Sequence, residues 1–198
     1  MASKTTVRLK EVATLQLGIT FRGADAARHD PDGSHQLIRI GDLSEDGEIR
    51  AQAAPLVAVR EMSTGRGELN PGDVILASRG TRMTAALFDG SFPAVVGSQF
   101  CVIRADPERM IPTYLWWFLN LPHTQECLLS QARGSYVRSL SLGALGDLEV
   151  LVPTIGRQRV ISKIHELRLR EKSLTAQLAR LRAILVDQEL LRAAHANQ

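Results

Sequence analysis

QRVISKIHELRLREKSLTAQLARLRAILVDQELLR, residues 158–192, is the stretch whose reading decides the architecture. Steps of four and three through it meet Val160, Ile164, Leu167, Leu174, Leu178, Leu181 and Leu185. Glu171 interrupts the series, and Gln188 and Arg192 continue it. Residues spaced this way share one face of an α-helix, and an apolar seam of that kind buries itself against another helix. A helix over 157–194 would be roughly 57 Å long. No small domain needs such a helix for its own core. The spacing therefore predicts a coiled coil that joins two chains through these apolar residues, with the rest of the chain carried at one end. Arg168, Arg170, Lys172, Arg180 and Arg182 lie between the seam positions and favour an intermolecular coil over packing on the chain's own domain.

The composition suits a globular protein: 198 residues, 44% hydrophobic and 23% charged. No apolar run reaches the length of a membrane span, and MASKTTVRLKEV at the start lacks the apolar centre of a signal peptide. A cytoplasmic location without membrane attachment is expected. Cys101 and Cys127 form no CxxC pair and read as buried thiols. Net charge is +3, unevenly placed: residues 157–198 hold nine Lys/Arg and four Asp/Glu, whereas 1–156 hold fifteen and seventeen. If the N-terminal part binds nucleic acid, a local patch must do it and not bulk charge. Twenty of the twenty-four basic residues are Arg, the side chain that clamps phosphate and reads guanine in bidentate fashion.

Along the chain, apolar residues at 9, 12, 13 and 17 predict a short helix over 7–17, ended by Gly18. Residues 24–34 read as loop, 35–40 as a strand, and Asp46-Gly47 as a tight turn. The turn at 68–73 launches an apolar strand at 74–78, and a second follows at 85–88. Residues 94–104 look β-like, with a bulge or break at Gly97-Ser98. Helices are expected at 113–120, capped by Thr113, and at 122–131. Ser141 should cap a further turn, and a last strand at 148–152 ends at Pro153. The fold class is thus α+β: a domain of short strands and helices over 1–153, then one long helix over 154–198.

Catalytic signatures are missing. There is no phosphate-binding GxxxxGK[ST] loop, no GxGxxG and no GxSxG elbow. The histidines at 29, 35, 123, 165 and 195 make no metal-ligand spacing with a cysteine. Three loops instead set Arg beside Gly: Phe21-Arg22-Gly23, Ser78-Arg79-Gly80-Thr81-Arg82 and Arg133-Gly134-Ser135-Tyr136-Val137-Arg138. Gly lets backbone approach a phosphate, Arg holds phosphate or guanine, and hydroxyls add positioning contacts. Arg22, Arg79, Arg82, Arg133, Ser135, Tyr136 and Arg138 are therefore the candidate DNA contacts. Each taken singly is also ordinary turn chemistry. Gln99 could contact adenine or bond backbone inside a strand. Trp116-Trp117-Phe118 reads as core and not as a base-stacking platform.

The order of these features resembles half of a type I restriction–modification specificity subunit. The stretches that carry the likeness are LKEVA (9–13) with GITFRG (18–23), IRIGDL (38–43), PGDVILASRG (71–80), YLWWFL (114–119), GSYVRSLS (134–141), and VLVP (150–153) with Gln158 and Ile161 beyond. The family often enters its helix through a Pro-Pro-Leu segment ending in Glu-Gln, whereas this chain has VPTIGRQ (152–158), without the second Pro and the Glu. The resemblance implies a non-catalytic subunit with no cofactor of its own. Its partners would be double-stranded DNA, a modification (methyltransferase) subunit using S-adenosylmethionine, and a restriction subunit using ATP. With a single recognition domain, two copies would pair as a homodimer, helices antiparallel, on a split palindromic site. A free-standing dimeric DNA-binding regulator and a coiled-coil interaction module are the alternative readings.

Overall fold

The computed structural model describes residues 5–20, 32–50, 55–57, 67–134 and 138–195. In chain order the strands are β1 (Thr5–Arg8), β2 (Ala13–Leu17), β3 (His35–Ile38), β4 (Leu56–Val57), β5 (Val74–Ala77), β6 (Ala85–Leu87), β7 (Ala94–Val96), β8 (Phe100–Ala105) and β9 (Glu149–Val152). The helices are α1 (Pro112–Leu119), α2 (Pro122–Gln131), α3 (Leu142–Gly146) and α4 (Ile155–His195). The chain divides into two units, Met1–Arg159 and Val160–Gln198.

In the first unit β5 is the organising strand. All four of its residues are buried, the signature of a strand covered on both faces. It lies in a sheet of order β2-β8-β5-β6, antiparallel throughout. A second sheet has the order β4-β3-β7, with β3 and β7 parallel. Ile75, Ala77, Phe88, Phe100 and Val102 meet Ile38, Ala94 and Val96 in one apolar cluster. Phe92 closes its rim by an edge-to-face contact with Phe88, centroids 5.6 Å apart. The expected break at Gly97-Ser98 is where β7 ends and β8 begins.

The turn before β5 owes its stability to a charge pair. Asp73 is 1% exposed, and its carboxylate accepts two bonds from Arg104 on β8, from Nε at 2.8 Å and Nη2 at 2.7 Å. The same carboxylate accepts the Asn70 N–H at 2.8 Å. A buried carboxylate must be paired and hydrogen-bonded, and this one is.

The N-terminal expectation fails. Residues 7–17 are not a helix but β1, one 3₁₀ turn at Leu9–Glu11, and β2. The apolar spacing at 9, 12 and 13 is met by that single turn, which buries Leu9 and Val12 completely. Tertiary pairing then overrides helical periodicity: β1 joins β9 antiparallel, Thr5 opposite Val152, and β2 joins β8. The strand expected at 35–40 stops at Ile38, and a 3₁₀ turn at Ile40–Asp42 follows, with the Asp42 carboxylate accepting the Arg39 N–H at 2.8 Å. Thr113 does not cap α1. Ile111 takes the N-cap position and Pro112 the first turn, where a missing N–H costs nothing. Ser141 does cap α3, accepting the Ala144 N–H at 3.2 Å. Cys101 is buried as expected, but Cys127 is only half-buried.

The second unit is helix. α4 runs 41 residues, slightly longer than the heptads required. Val160, Ile164, Leu167, Leu174, Leu178, Leu181 and Leu185 are between 49% and 61% exposed. Ile184, Val186, Leu190 and Leu191 are also exposed. Among the described residues no helix is long and apolar enough to cross a membrane.

Candidate nucleic-acid interface

Two of the three Arg–Gly loops meet on one edge of the first unit. The Ser78 carbonyl accepts the Leu140 N–H at 2.8 Å, and the Gly80 N–H donates to the Arg138 carbonyl at 3.1 Å. On the other side of the same segment, Arg133 and Ser139 exchange both backbone bonds, at 3.0 and 2.8 Å. Residues 138–140 are thereby threaded between the loop after β5 and the loop after α2. Gly80 (φ +121°) and Gly134 (φ +118°) occupy backbone conformations that side chains resist, so the glycines of both motifs are needed for this pairing.

Arg79, Arg133 and Arg138 all lie exposed on this ribbon. Among the described residues the guanidinium groups of Arg79 and Arg133 have no hydrogen-bond or ion-pair partner. Arg138 donates to the Leu129 carbonyl at 3.4 Å, which ties it to the end of α2. Arg82 is turned toward Glu45, 3.8 Å away, an exposed pair of small energetic weight. Glu45 is set there by the turn at 44–48, where Gly47 (φ +77°) packs so closely on Ala85 and Trp116 that a Cβ would collide with both. Arg22, Ser135 and Tyr136 lie outside the described residues. Gly18 and Ile19, which precede Arg22, are held at the β7–β8 break: the Ile19 N–H donates to the Val96 carbonyl at 2.8 Å.

The ribbon rests on buried polar bonding. Ser78, 2% exposed, donates both its N–H and its hydroxyl to the Gln99 carbonyl, each at 2.9 Å. Gln99 contributes its main-chain carbonyl here, from the turn between β7 and β8 and not from inside a strand. Beside it, burial pushes the Cys101 thiol up to about 11, against the smaller opposing effect of a bond with Ser78.

Residues that sequence reasoning passed over hold the loop from behind. Gln125 on α2 accepts the Met83 N–H at 3.2 Å and donates to the Met83 carbonyl at 2.9 Å. Asn120 does the same at Ala85, 3.1 and 2.9 Å, and Trp116 Nε1 adds a bond to the Ala85 carbonyl at 3.0 Å. Each side-chain amide copies the donor–acceptor pair of a neighbouring strand, so the helices extend the sheet beyond β6. The Arg79–Arg82 loop is therefore fixed at both ends, by Ser78 and by Met83. Trp116 is core, as expected, whereas Trp117 and Phe118 are only half-buried; Tyr114 is buried as well, its hydroxyl donates to the Leu151 carbonyl at 2.8 Å, and burial pushes its pKa up to about 12. A third amide, Gln158, is fully buried. It accepts the Ile111 N–H at 2.8 Å and donates to the carbonyls of Arg109 and Pro153, each at 2.9 Å. A buried Gln with its amide so fully used is costly to replace. These bonds give the helix entry a reason to carry Gln at position 158.

No protein-family model and no curated protein sequence matches this chain. Solved structures do. A structure of an assembled type I restriction–modification system shares 16% identity at a TM-score of 0.65, over 86% of this chain and 39% of its own. The HsdS subunit from Thermoanaerobacter tengcongensis shares 14% at a TM-score of 0.57, again over 86% of this chain. The fold is that of the type I S subunits. It also occurs in the type IIG restriction endonuclease BpuSI, at 11% identity and a TM-score of 0.59, over 81% of this chain and 26% of the enzyme. This chain spans 38% of the length of the HsdS structure.

Proposed function

We propose that this chain is a non-catalytic DNA-specificity subunit of a type I restriction–modification system, in which the Met1–Arg159 unit reads DNA and the helix that follows serves as spacer and dimerisation element. The observation that carries the reading is the convergence of Arg79, Arg133 and Arg138 on one rigid backbone ribbon, in a fold shared with S subunits. The unit that bears them has no positive net charge of its own. Recognition then rests on a few placed guanidinium groups, which suits sequence reading better than unspecific attraction. Arg79 and Arg133, without partners among the described residues, are the first contacts; Arg138 is a second, braced one.

Two such chains, paired antiparallel through α4, present two identical readers related by a two-fold axis. Identical readers in that arrangement take inverted half-sites, so the target is a split palindrome. The Arg and Lys residues off the seam offer a basic surface for a methyltransferase subunit and, where present, a restriction subunit. The methyl donor and ATP belong to those partners.

The test measures binding of the full chain, with its methyltransferase, to the methylated site identified in cells. Arg79→Ala and Arg133→Ala are each expected to weaken binding by about tenfold, consistent with loss of one charge-assisted contact. A residue that reads a base also relaxes discrimination at one position, whereas a phosphate contact lowers the salt dependence by about one ion. Unchanged affinity and unchanged specificity in both variants would remove the ribbon from the interface.

A further inference from the structure

The exposed seam of α4 carries polar interruptions, and these restrict how a second copy can lie on it. In an antiparallel pair, the four-and-three series of one helix meets the reversed series of the other, so each pairing has a fixed sum of residue numbers. Successive registers differ by one heptad. The series contains the leucines at 167, 174, 178, 181 and 185, the carboxylate of Glu171, the amide of Gln188 and Arg192. All of these are exposed on α4.

We propose that two copies of this chain pair antiparallel in the register that sets Glu171 against the partner's Gln188, with the two-fold axis between Leu178 and Leu181. This rests on the dimer reading above and names its geometry. In this register Leu178 meets the partner's Leu181 and Leu174 meets the partner's Leu185, so leucines fill the layers about the axis. Glu171 meets an amide that can donate to it. On the flank, Arg168 comes beside the partner's Glu189, an opposite-charge pair that occurs twice by symmetry. Glu189 already binds Arg192 of its own helix at 2.5 Å, so the carboxylate lies between two guanidinium groups.

The neighbouring registers are poorer for identifiable reasons. A slip of one heptad toward the N-terminus sets Glu171 against the partner's Leu181, Ile164 against its Gln188, and Arg168 beside its Arg182. A slip of two sets Glu171 against the partner's Leu174 and brings both copies of Glu171 into adjacent layers at the axis. Burying a carboxylate against leucine leaves it without a partner, and two buried like charges compound the cost. A slip of one heptad the other way sets Leu178 against the partner's Gln188 and places Arg182 beside its own copy. That register does offer Glu171 the partner's His195, so it is the like-charged flank that counts against it; the proposed register gives Glu171 a donor without like charges on the flank, and sets Arg192 against the partner's Leu167 only at the end of the coil.

The register has a metric consequence. With the axis between Leu178 and Leu181, the two copies of Val160 lie roughly 59 Å apart along the coil. Each heptad of slip changes that distance by about 10.5 Å, about three base pairs of B-DNA. Glu171 and Gln188 would therefore help set the gap between half-sites.

The experiment uses the full chain with Cys127→Ser, leaving the buried Cys101 in place. A chain with Leu174→Cys is mixed with a second carrying Leu185→Cys, Leu178→Cys or Glu171→Cys, and disulfides are formed under mild oxidation. The proposal expects the 174–185 pair to cross-link and the other two not to. Cross-linking of 174–178 or 174–171 would overturn the register while leaving the dimer standing. A dimer by sedimentation that forms none of the three bonds would likewise overturn it, and a monomer would overturn the pairing itself. Charge exchange gives a second readout without cysteine. Arg168→Glu and Glu189→Arg should each weaken dimerisation about tenfold, and the two together should restore it to within about twofold. Failure of the double variant to recover would remove the Arg168–Glu189 contact and with it the register.

Discussion

The first unit and the long helix treat their apolar residues in opposite ways. Val74, Ile75, Leu76, Phe100 and Ile103 are 0% exposed, sealed by neighbouring strands and by α1 of the same unit. Leu174, Leu181 and Leu185, equally apolar, are 55–60% exposed. A half-exposed leucine is unremarkable singly, but a heptad row of them along one helix face is an uncovered apolar stripe. The first unit has the interior of a finished domain, while the second has half of one. In the proposed function, sequence-specific recognition and assembly fall to these two regions of different character, and a substitution should touch one without the other.

The largest expected effect follows from charging the seam. Leu178→Glu with Leu181→Glu should weaken self-association by a factor on the order of 1000, since four carboxylates would then crowd the axis of the pair. Sedimentation reads that loss, and the urea midpoint of the first unit should stay where it was. A shift of that midpoint would break the division between the two regions. Next comes the buried pair behind the β5 turn. Asp73→Ala should cost the first unit about 3 kcal/mol, because Arg104 loses both of its bonds and the Asn70 N–H loses its acceptor. Arg104 is about half-exposed, which keeps the cost at the lower end for a buried pair. Dimerisation should not change. A smaller effect is expected from Gln125→Ala, about 2 kcal/mol, from the N–H and carbonyl of the buried Met83 left without partners. Equilibrium unfolding checks both. Equal stability of Gln125→Ala and wild type would remove the amide clamp as the support of the Arg79–Arg82 loop.

What could be read in the residue order follows the same division. The helix was legible because its signal is local and periodic, and 41 residues repeat it. The buried strand at 74–77 was legible as an unbroken apolar run flanked by turn residues. Residues 7–17 were misread because apolar residues three apart suit a 3₁₀ turn as well as an α-helix, and the deciding contacts, with β8 and β9, lie about ninety and 140 residues away. In the candidate interface, Arg–Gly chemistry picked out Arg79 and Arg133 singly. Nothing local revealed that 138–140 would be threaded between them, since that is long-range backbone pairing. Asn120, Gln125 and Gln158 were invisible for a related reason. An amide on a helix looks like surface until a strand edge or a turn is found to need its donor and acceptor.

The central claim is that two identical copies of this chain, each bringing its reader, act together. Sequencing the methylated sites of cells that carry this gene with its methyltransferase tests it most directly. The account predicts a two-part motif whose halves are inverted repeats across a fixed gap. An asymmetric motif would contradict it, since two identical readers related by a two-fold axis cannot select two different half-sites.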